Sequence, residues 1–514
     1  MRQTVRPVYF CVLLFMSLVS ANFASADDTV TILSYDDAVD IALEKSYTVL
    51  SHKSNLQAMR HSFEYYRAQF KPKLDFGLFA PSLNENVMPI ARPDGLPVYN
   101  STGLLQAGGN LRFTYMLPTG GNLSLLSELY REDVKTVLAL QNFQTLKNKQ
   151  ASSSMSLHFE QPIFTRNTLH ENLLRAEYQY EKTSNVFTRS QMDIIYNVTN
   201  SFYFLYQAVR TVEIANERLA NSEEAFRIAK LKYESGRIPE GDVLIAEVEM
   251  SRNRAGLLES KGSLLRLKDR FSQSIGLDAE LNFEISADLS YEAVFIDIDK
   301  AVGEALKNRL EITETELDIQ LQEINVDRAR REREFKGNIS AYYDLTGVST
   351  ITGNTTDMFN SSFDNFIDRP PNRGITLTFS YPVFDWGRGA ARIQEESVRL
   401  KGRKLDLENT QRTISREVKD VCRRVEETAA RLEIHEKNQE IARRSYDISS
   451  MQFENGDITS QELGREQERL ADSQLQYLEA FIAYKLALAD LKRKTMWDFN
   501  ANRSYLVNTY FQEK

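Results

Sequence analysis

The chain has 514 residues, 42% of them hydrophobic, and carries 63 Lys and Arg against 72 Asp and Glu, a formal net charge of −9. An acidic chain whose basic residues are scattered along helical stretches lacks the concentrated footprint of a nucleic-acid binder, so nucleic acid is not expected as a partner. Its two cysteines are Cys11 and Cys422; the first lies in the leader, so no intrachain disulfide is expected and stability must come from packing and assembly.

At the N-terminus Arg2 and Arg6 precede the apolar run Val8 to Val19 and the small-residue site Ala24-Ser25-Ala26. Residues 1 to 26 therefore read as a cleavable signal peptide, too short for a membrane span. Their removal takes the net charge from −9 to −11. Cys11 follows Val8-Tyr9-Phe10, without the small residues of a lipoprotein processing site, so no lipid anchor is expected. No other stretch holds 18 consecutive apolar residues. Entry into a membrane would then need a closed barrel of strands.

From Ser34, an N-cap with Asp37 three residues on, to Phe70 there is no Gly or Pro, which predicts a helix or two in series over 35–70. Strand-like alternation follows at Leu74 to Leu78, at Leu111 to Tyr115 before the turn Pro118-Thr119-Gly120-Gly121, at Leu123 to Leu125 and at Met155 to Phe159. Segments 81–108, 131–151 and 346–373, polar or rich in Gly, Pro and Asn, read as loops. From Ile163 to Ser235 Gly and Pro are absent, and a continuous helix over 167–235 would be about 100 Å long. Ile195, Val198, Phe202, Leu205, Val209 and Val212 fall at alternating steps of three and four, a coiled-coil seam. A turn at Gly236 and a return helix over 241–275 close this half.

The second half repeats the first. Leu157 to Phe164 (LHFEQPIF) matches Leu377 to Phe384 (LTFSYPVF) at an offset of 220, and Tyr233-Glu234-x-Gly236-x-Ile238 matches Phe453-Glu454-x-Gly456-x-Ile458 at the same offset. Ala38-Val39-x-x-Ala42-Leu43 matches Ala301-Val302-x-x-Ala305-Leu306 at 263, leaving about 43 extra residues in the first half. Two structural repeats follow, 27–290 and 291–514. The second should hold helices over 298–336, strands within 338–384, a long helix over 388–455 and a return helix over 459–494. The second seam, Ser415, Val418, Cys422, Val425, Ala429 and Leu432, is smaller, and Cys422 reads as a small core residue.

Two strands in the second half and two to four in the first cannot close a barrel, whose smallest examples need about eight. Several chains sharing one barrel would remove the open edges. Pro162 and Pro382 stand where the strands run out into the long helices, a position tolerant of a missing donor. Phe159, Phe164, Phe379, Tyr381, Phe384 and Trp386 around them fit either an aromatic girdle at a membrane interface or an aromatic core at a strand-helix junction. At Gly236 and Gly456, glycine supplies the left-handed conformation that ends a helix and lets the chain reverse.

The leader, the tandem helix-strand-helix repeats, the x-Pro-[Ile/Val]-Phe strand ends and the [Tyr/Phe]-Glu-x-Gly-x-Ile turns together resemble the TolC-like outer-membrane factors, from about Ser34 to Met496. The resemblance implies a mainly α fold with membrane β: a trimeric outer-membrane β-barrel continued by a long helical coiled-coil tunnel through the periplasm. It implies the exit duct of a tripartite efflux or type I secretion system, in the outer membrane. Its partners would be a periplasmic adaptor, an inner-membrane transporter, outer-membrane lipid and two further copies of itself. Conventional members give four strands per protomer, and the hairpin around Leu111 to Leu125 would either raise this or lie outside the barrel.

The two glycine turns would be the periplasmic tips. In the family, acidic residues six and nine positions after the second glycine constrict the tunnel, and a ring of carboxylates there favours cations. Those positions hold Glu462 and Arg465, so the second departs from the pattern. The first-repeat counterpart, Asp242, would take part in interprotomer links, but the arginine expected as its partner is replaced by Ile458.

An enzyme is the competing reading for a chain of this length. The five histidines, at 52, 61, 158, 170 and 435, show no metal-ligand spacing, and neither a phosphate-cradling glycine loop nor a Gly-x-Ser-x-Gly elbow occurs. No enzyme, metal or cofactor is expected. A periplasmic coiled-coil scaffold without a channel is the alternative to a duct.

Overall fold

The computed structural model describes residues 31–92, 95–139, 143–278, 283–286, 291, 294–350, 354–499 and 501–505. The expected signal peptide lies outside them. Strand β1 (Thr31–Leu33) leads into α1 (Tyr35–Lys45), opened by a reciprocal capping box between Ser34 and Asp37. After a break at Ser46 comes α2 (Tyr47–Ala68). Four strands follow, β2 (Lys73–Arg92), β3 (Gly95–Met116), β4 (Asn122–Leu138) and β5 (Gln144–Ile163). They run into the 67-residue helix α3 (Thr168–Glu234) and its return α4 (Glu240–Ile275). Strand β6 (Phe283–Ile285) pairs in parallel with β1.

The second series is α5 (Ile298–Asn308), α6 (Leu310–Arg331), β7 (Lys336–Ser349), α7 (Thr355–Asp368), β8 (Asn372–Ser380), the 68-residue α8 (Arg388–Asn455) and α9 (Ser460–Thr495). A small hairpin of β9 (Trp497–Asp498) and β10 (Arg503–Ser504) ends it. Helices α1 and α5 have 11 residues each, α2 and α6 have 22, and α4 and α9 have 36. Even the break recurs, at Ser46 and at Arg309.

Two compact units emerge, and neither coincides with a sequence repeat. Among the described residues, one comprises those up to Ser46 with 197–291 and 435–482; the other comprises 47–196, 292–434 and those from Ala483 onward. The long helices contribute to both. In the first unit α3 buries Val198, Phe202 and Leu205 of the expected seam, broadened by Tyr206, Ala208 and Ile214. In the second, α8 buries Val418, Cys422, Val425 and Leu432, joined by Ile414 and Val421. Burial, then the neighbouring Glu426, pushes the Cys422 thiol up to about 11, so it stays a protonated core group. Near the start of α3 the buried Glu171 carboxylate is held by Arg166 at 2.8 Å, Arg175 at 3.0 Å and Arg328, the pairing that a buried charge requires.

The structure corrects the loop assignments. Segments 81–108 and 131–151 are almost wholly strand, so β2 to β5 are 17 to 22 residues long, and 346–373 contains the end of β7, helix α7 and the start of β8. The cause is physical: in these outer strand halves apolar residues fall on both faces, Leu83 opposite Leu105 on one and Leu104 opposite Val134 on the other, amid Gly, Pro and Asn, so period-two amphipathicity is lost while the backbone is satisfied by neighbouring strands. Among the described residues no helix is long and apolar enough to cross a membrane.

Candidate functional site

Six strands form one antiparallel sheet in the order β2-β3-β4-β5-β7-β8. The first half thus supplies four strands and the second two, and the hairpin around Leu111 to Leu125 belongs to the sheet. Residues directly opposite share a face, so the register sorts the sheet row by row. One row reads Leu74, Phe113, Leu125, Leu157, Tyr343 and, at the edge, Arg373; the next reads Phe76, Leu111, Ser127, Met155 and Leu345. The alternate row on the other face reads Asp75, Arg112, Leu126, Ser156, Asp344 and Asn372. On that polar face His158 Nε2 lies 3.4 Å from Asp344 Oδ1.

The apolar face is not covered by a core of this chain: Phe76 is 69%, Leu78 76% and Ile375 81% exposed. Along β5 it runs from the level of Gln161 to that of Ser153, about 27 Å along the strand and about 20 Å once tilted by ~40°, close to the ~25 Å apolar band of a membrane barrel. At the helix-bearing end Pro162 pairs with Asn338 in the last turns of the ladder, whereas Pro382 falls just beyond β8. Phe164 lies 6.1 Å from Phe335, which stacks on Phe379 at 5.1 Å, and Phe384 meets Trp386 edge-on at 4.7 Å. Phe164 and Trp386, with φ of 60° and 54°, turn their rings outward, and Trp386 is 90% exposed.

At the opposite end α7 lies on the apolar face. Ser362 Oγ donates to Gly347 O at 2.9 Å and lies 2.8 Å from Ser153 Oγ, and a Cβ on Gly347 would sit 1.9 Å from Ser362 O. Glycine there is what lets the helix approach the sheet.

The two helix reversals share one backbone solution. At the first, Gly236 (φ 74°) donates to Tyr233 O at 2.8 Å and Arg237 N to Lys232 O at 2.8 Å; at the second, Gly456 (φ 93°) donates to Phe453 O at 3.1 Å and Asp457 N to Gln452 O at 2.9 Å. Both are Schellman motifs. Ile238 and Ile458, two residues past each glycine, pack against one shared core of Ala229, Ala246, Phe453 and Leu463. Lys232, which neither periodicity nor motif singled out, donates to Phe453 O at the end of α8 and stands 4.4 Å over the Phe453 ring. Burial, then the neighbouring Arg237, lowers its pKa.

Glu462 is exposed, and its carboxylate accepts from Thr459 N at 2.8 Å and Thr459 Oγ1 at 3.0 Å, while Glu462 N donates to Thr459 Oγ1 at 3.3 Å. This capping box opens α9 and holds the Glu462 carboxyl below its ordinary value, chiefly through the Thr459 backbone bond. Arg465, one turn on, is exposed, and Asp242 is half-buried in the first turn of α4.

The family described as outer membrane efflux protein matches the chain twice, over residues 38–277 and 301–495. The chain belongs to the outer membrane efflux protein family. Its matches to solved structures are low in sequence and extensive in fold. The Campylobacter jejuni CmeC outer membrane channel is 12% identical with a TM-score of 0.64, covering 90% of this chain and 85% of that one. The Vibrio cholerae outer membrane protein VceC is 14% identical with a TM-score of 0.61, over 90% and 95%. The open state of the Neisseria gonorrhoeae MtrE outer membrane channel is 14% identical with a TM-score of 0.59, over 90% and 88%. No curated protein sequence matches. This member of the efflux family has the TolC-like channel fold and is an outer-membrane channel that extends into the periplasm.

Proposed function

We propose that three copies of this chain close one barrel of eighteen strands, six from each, and act as the passive exit duct of a tripartite efflux or type I secretion system. The observation that carries this reading is the six-stranded sheet, apolar on one face and polar on the other, whose edge strands β2 and β8 pair with nothing else among the described residues. An open edge inside a bilayer leaves backbone groups unsatisfied, and joining copies edge to edge removes it. Helical surfaces support assembly too: α4 leaves Val248, Leu258 and Leu265 exposed, and α8 leaves Ile441, Ile448 and Met451 exposed, stripes that neighbouring copies would cover.

In this duct the glycine turns are the periplasmic tips that meet the adaptor and, through it, the inner-membrane transporter. Glu462, Arg465 and Asp242 would line the narrow end, with Ile458 unable to form the charged link expected of the family. The aromatics at 164, 384 and 386 sit at the periplasmic interface. The chain supplies passage and no catalytic step; the transporter sets the substrate. A periplasmic scaffold has no use for an exposed apolar sheet face.

Native mass spectrometry of protein extracted by detergent from the outer-membrane fraction tests this directly. Three mature chains per particle are expected; a monomer released without detergent would overturn the reading.

A further inference from the structure

Above the apolar band, on the end of the sheet away from the long helices, the same outward face turns charged on β4 and β5, while β2 and β3 keep Leu83 and Leu105 at that level. Next to Leu129 on that face of β4 come Arg131, Asp133 and Lys135, and on β5 Ala151 is followed by Lys149 and Lys147. The register sets Lys135 directly opposite Lys147, and Asp133 opposite Lys149. Asp133 does not neutralise the lysines, because both its oxygens are taken by Arg131 at 2.9 and 3.0 Å. Glu85, the other acid at this level, lies two strands away across Gly103 and accepts from Ser101 Oγ at 2.6 Å. Lys135, Lys147 and Lys149 are exposed, and α7, with its acids Asp357, Asp364 and Asp368, makes no ion pair with them among the described residues.

Like charges directly opposite in an antiparallel pair oppose pairing, so an anion from outside the chain would relieve the repulsion between Lys135 and Lys147. The position says which. Lipid-facing charge is costly at mid-bilayer and tolerated at the interface, and this cluster begins where the apolar face stops. Beside it, on the same face, α7 exposes Phe363 and Ile367, an apolar anchor at headgroup depth.

We propose that Lys135, Lys147 and Lys149 bind the phosphate groups of lipid headgroups in the outer leaflet, a proposal that rests on the membrane-embedded reading of the sheet. The occupant is a lipid because the patch is continuous with the acyl-facing surface, and a phosphate because three clustered ammonium groups suit a multiply charged oxyanion.

The test titrates the purified full-length oligomer in non-ionic detergent with diphosphorylated lipid A, dephosphorylated lipid A and inorganic phosphate, read by native mass spectrometry. Each lysine near an anionic lipid surface is worth roughly fivefold in affinity, so the triple variant Lys135→Gln, Lys147→Gln, Lys149→Gln should bind diphosphorylated lipid A roughly 100-fold more weakly. The triple Lys→Arg variant should bind as wild type does, and added salt should weaken both. Equal binding by wild type and the glutamine variant overturns the proposal, as does equal binding of the dephosphorylated lipid. Displacement by inorganic phosphate at equal concentration also overturns it, since the site would then hold any free anion. The same spectra count chains: a wild-type monomer would sink the channel reading, whereas an intact oligomer indifferent to the lysines sinks this inference alone.

Discussion

The two helix reversals, at Gly236 and at Gly456, use the same backbone and the same isoleucine but surround them with different charge. Lys232 occupies the position of Gln452, Arg237 that of Asp457, and Asp242 that of Glu462. The first turn starts its return helix from Pro239, with no side-chain cap, and the second from Thr459, with a reciprocal one. Geometry that both copies need, a left-handed residue and an apolar plug, has stayed; electrostatics has diverged. The divergence joins the copies, since Lys232 of the first closes a carbonyl at the end of the second's long helix.

The sharpest way to break this comparison is to remove what the two turns share. Phe453 is 3% exposed and carries the common core, so Phe453→Ala should cost about 3–5 kcal/mol and release hydrogen-exchange protection at both turns. Next come the glycines: Gly236→Val and Gly456→Val force a β-branched residue into positive φ, costing about 1–2 kcal/mol each. Nearly equal losses would show the two turns to be equivalent in backbone.

Smaller changes should separate the turns. Thr459→Ala removes a cap worth about 1 kcal/mol and should fray the first turn of α9. Pro239→Ala should leave α4 nearly unchanged, because no side-chain bond is lost. Smallest is the effect of pH. Since the Glu462 carboxyl is held below its ordinary value in the fold, its contribution is present above the unfolded glutamate value and fades as pH falls through the lowered one. Exchange at the start of α9, corrected for intrinsic rate, should rise over that window, and Thr459→Ala should abolish the rise.

The same contrast explains what could be read in advance. Long runs without Gly or Pro, and motifs recurring at one offset, reveal the helices and their reversals because those features are local. The helix-bearing halves of the strands alternate because one face is apolar and the other polar. Their outer halves at 81–108 and 131–151 read as loops because apolar residues fall on both faces between Gly, Pro and Asn, which leaves no period of two. Lys232 was illegible because its partner is a backbone carbonyl 221 residues away. Thr459-x-x-Glu462 has the spacing of a capping box, and the structure shows that the same carboxylate placed at the tunnel constriction by resemblance caps α9.

Single-channel recording in planar lipid bilayers tests the central claim, a channel whose helical reversals hold its inner end, most directly. The account predicts discrete current steps that are larger for Phe453→Ala, with its loosened reversals, than for wild type. No steps from either protein, with both shown to be inserted in the bilayer, would contradict it.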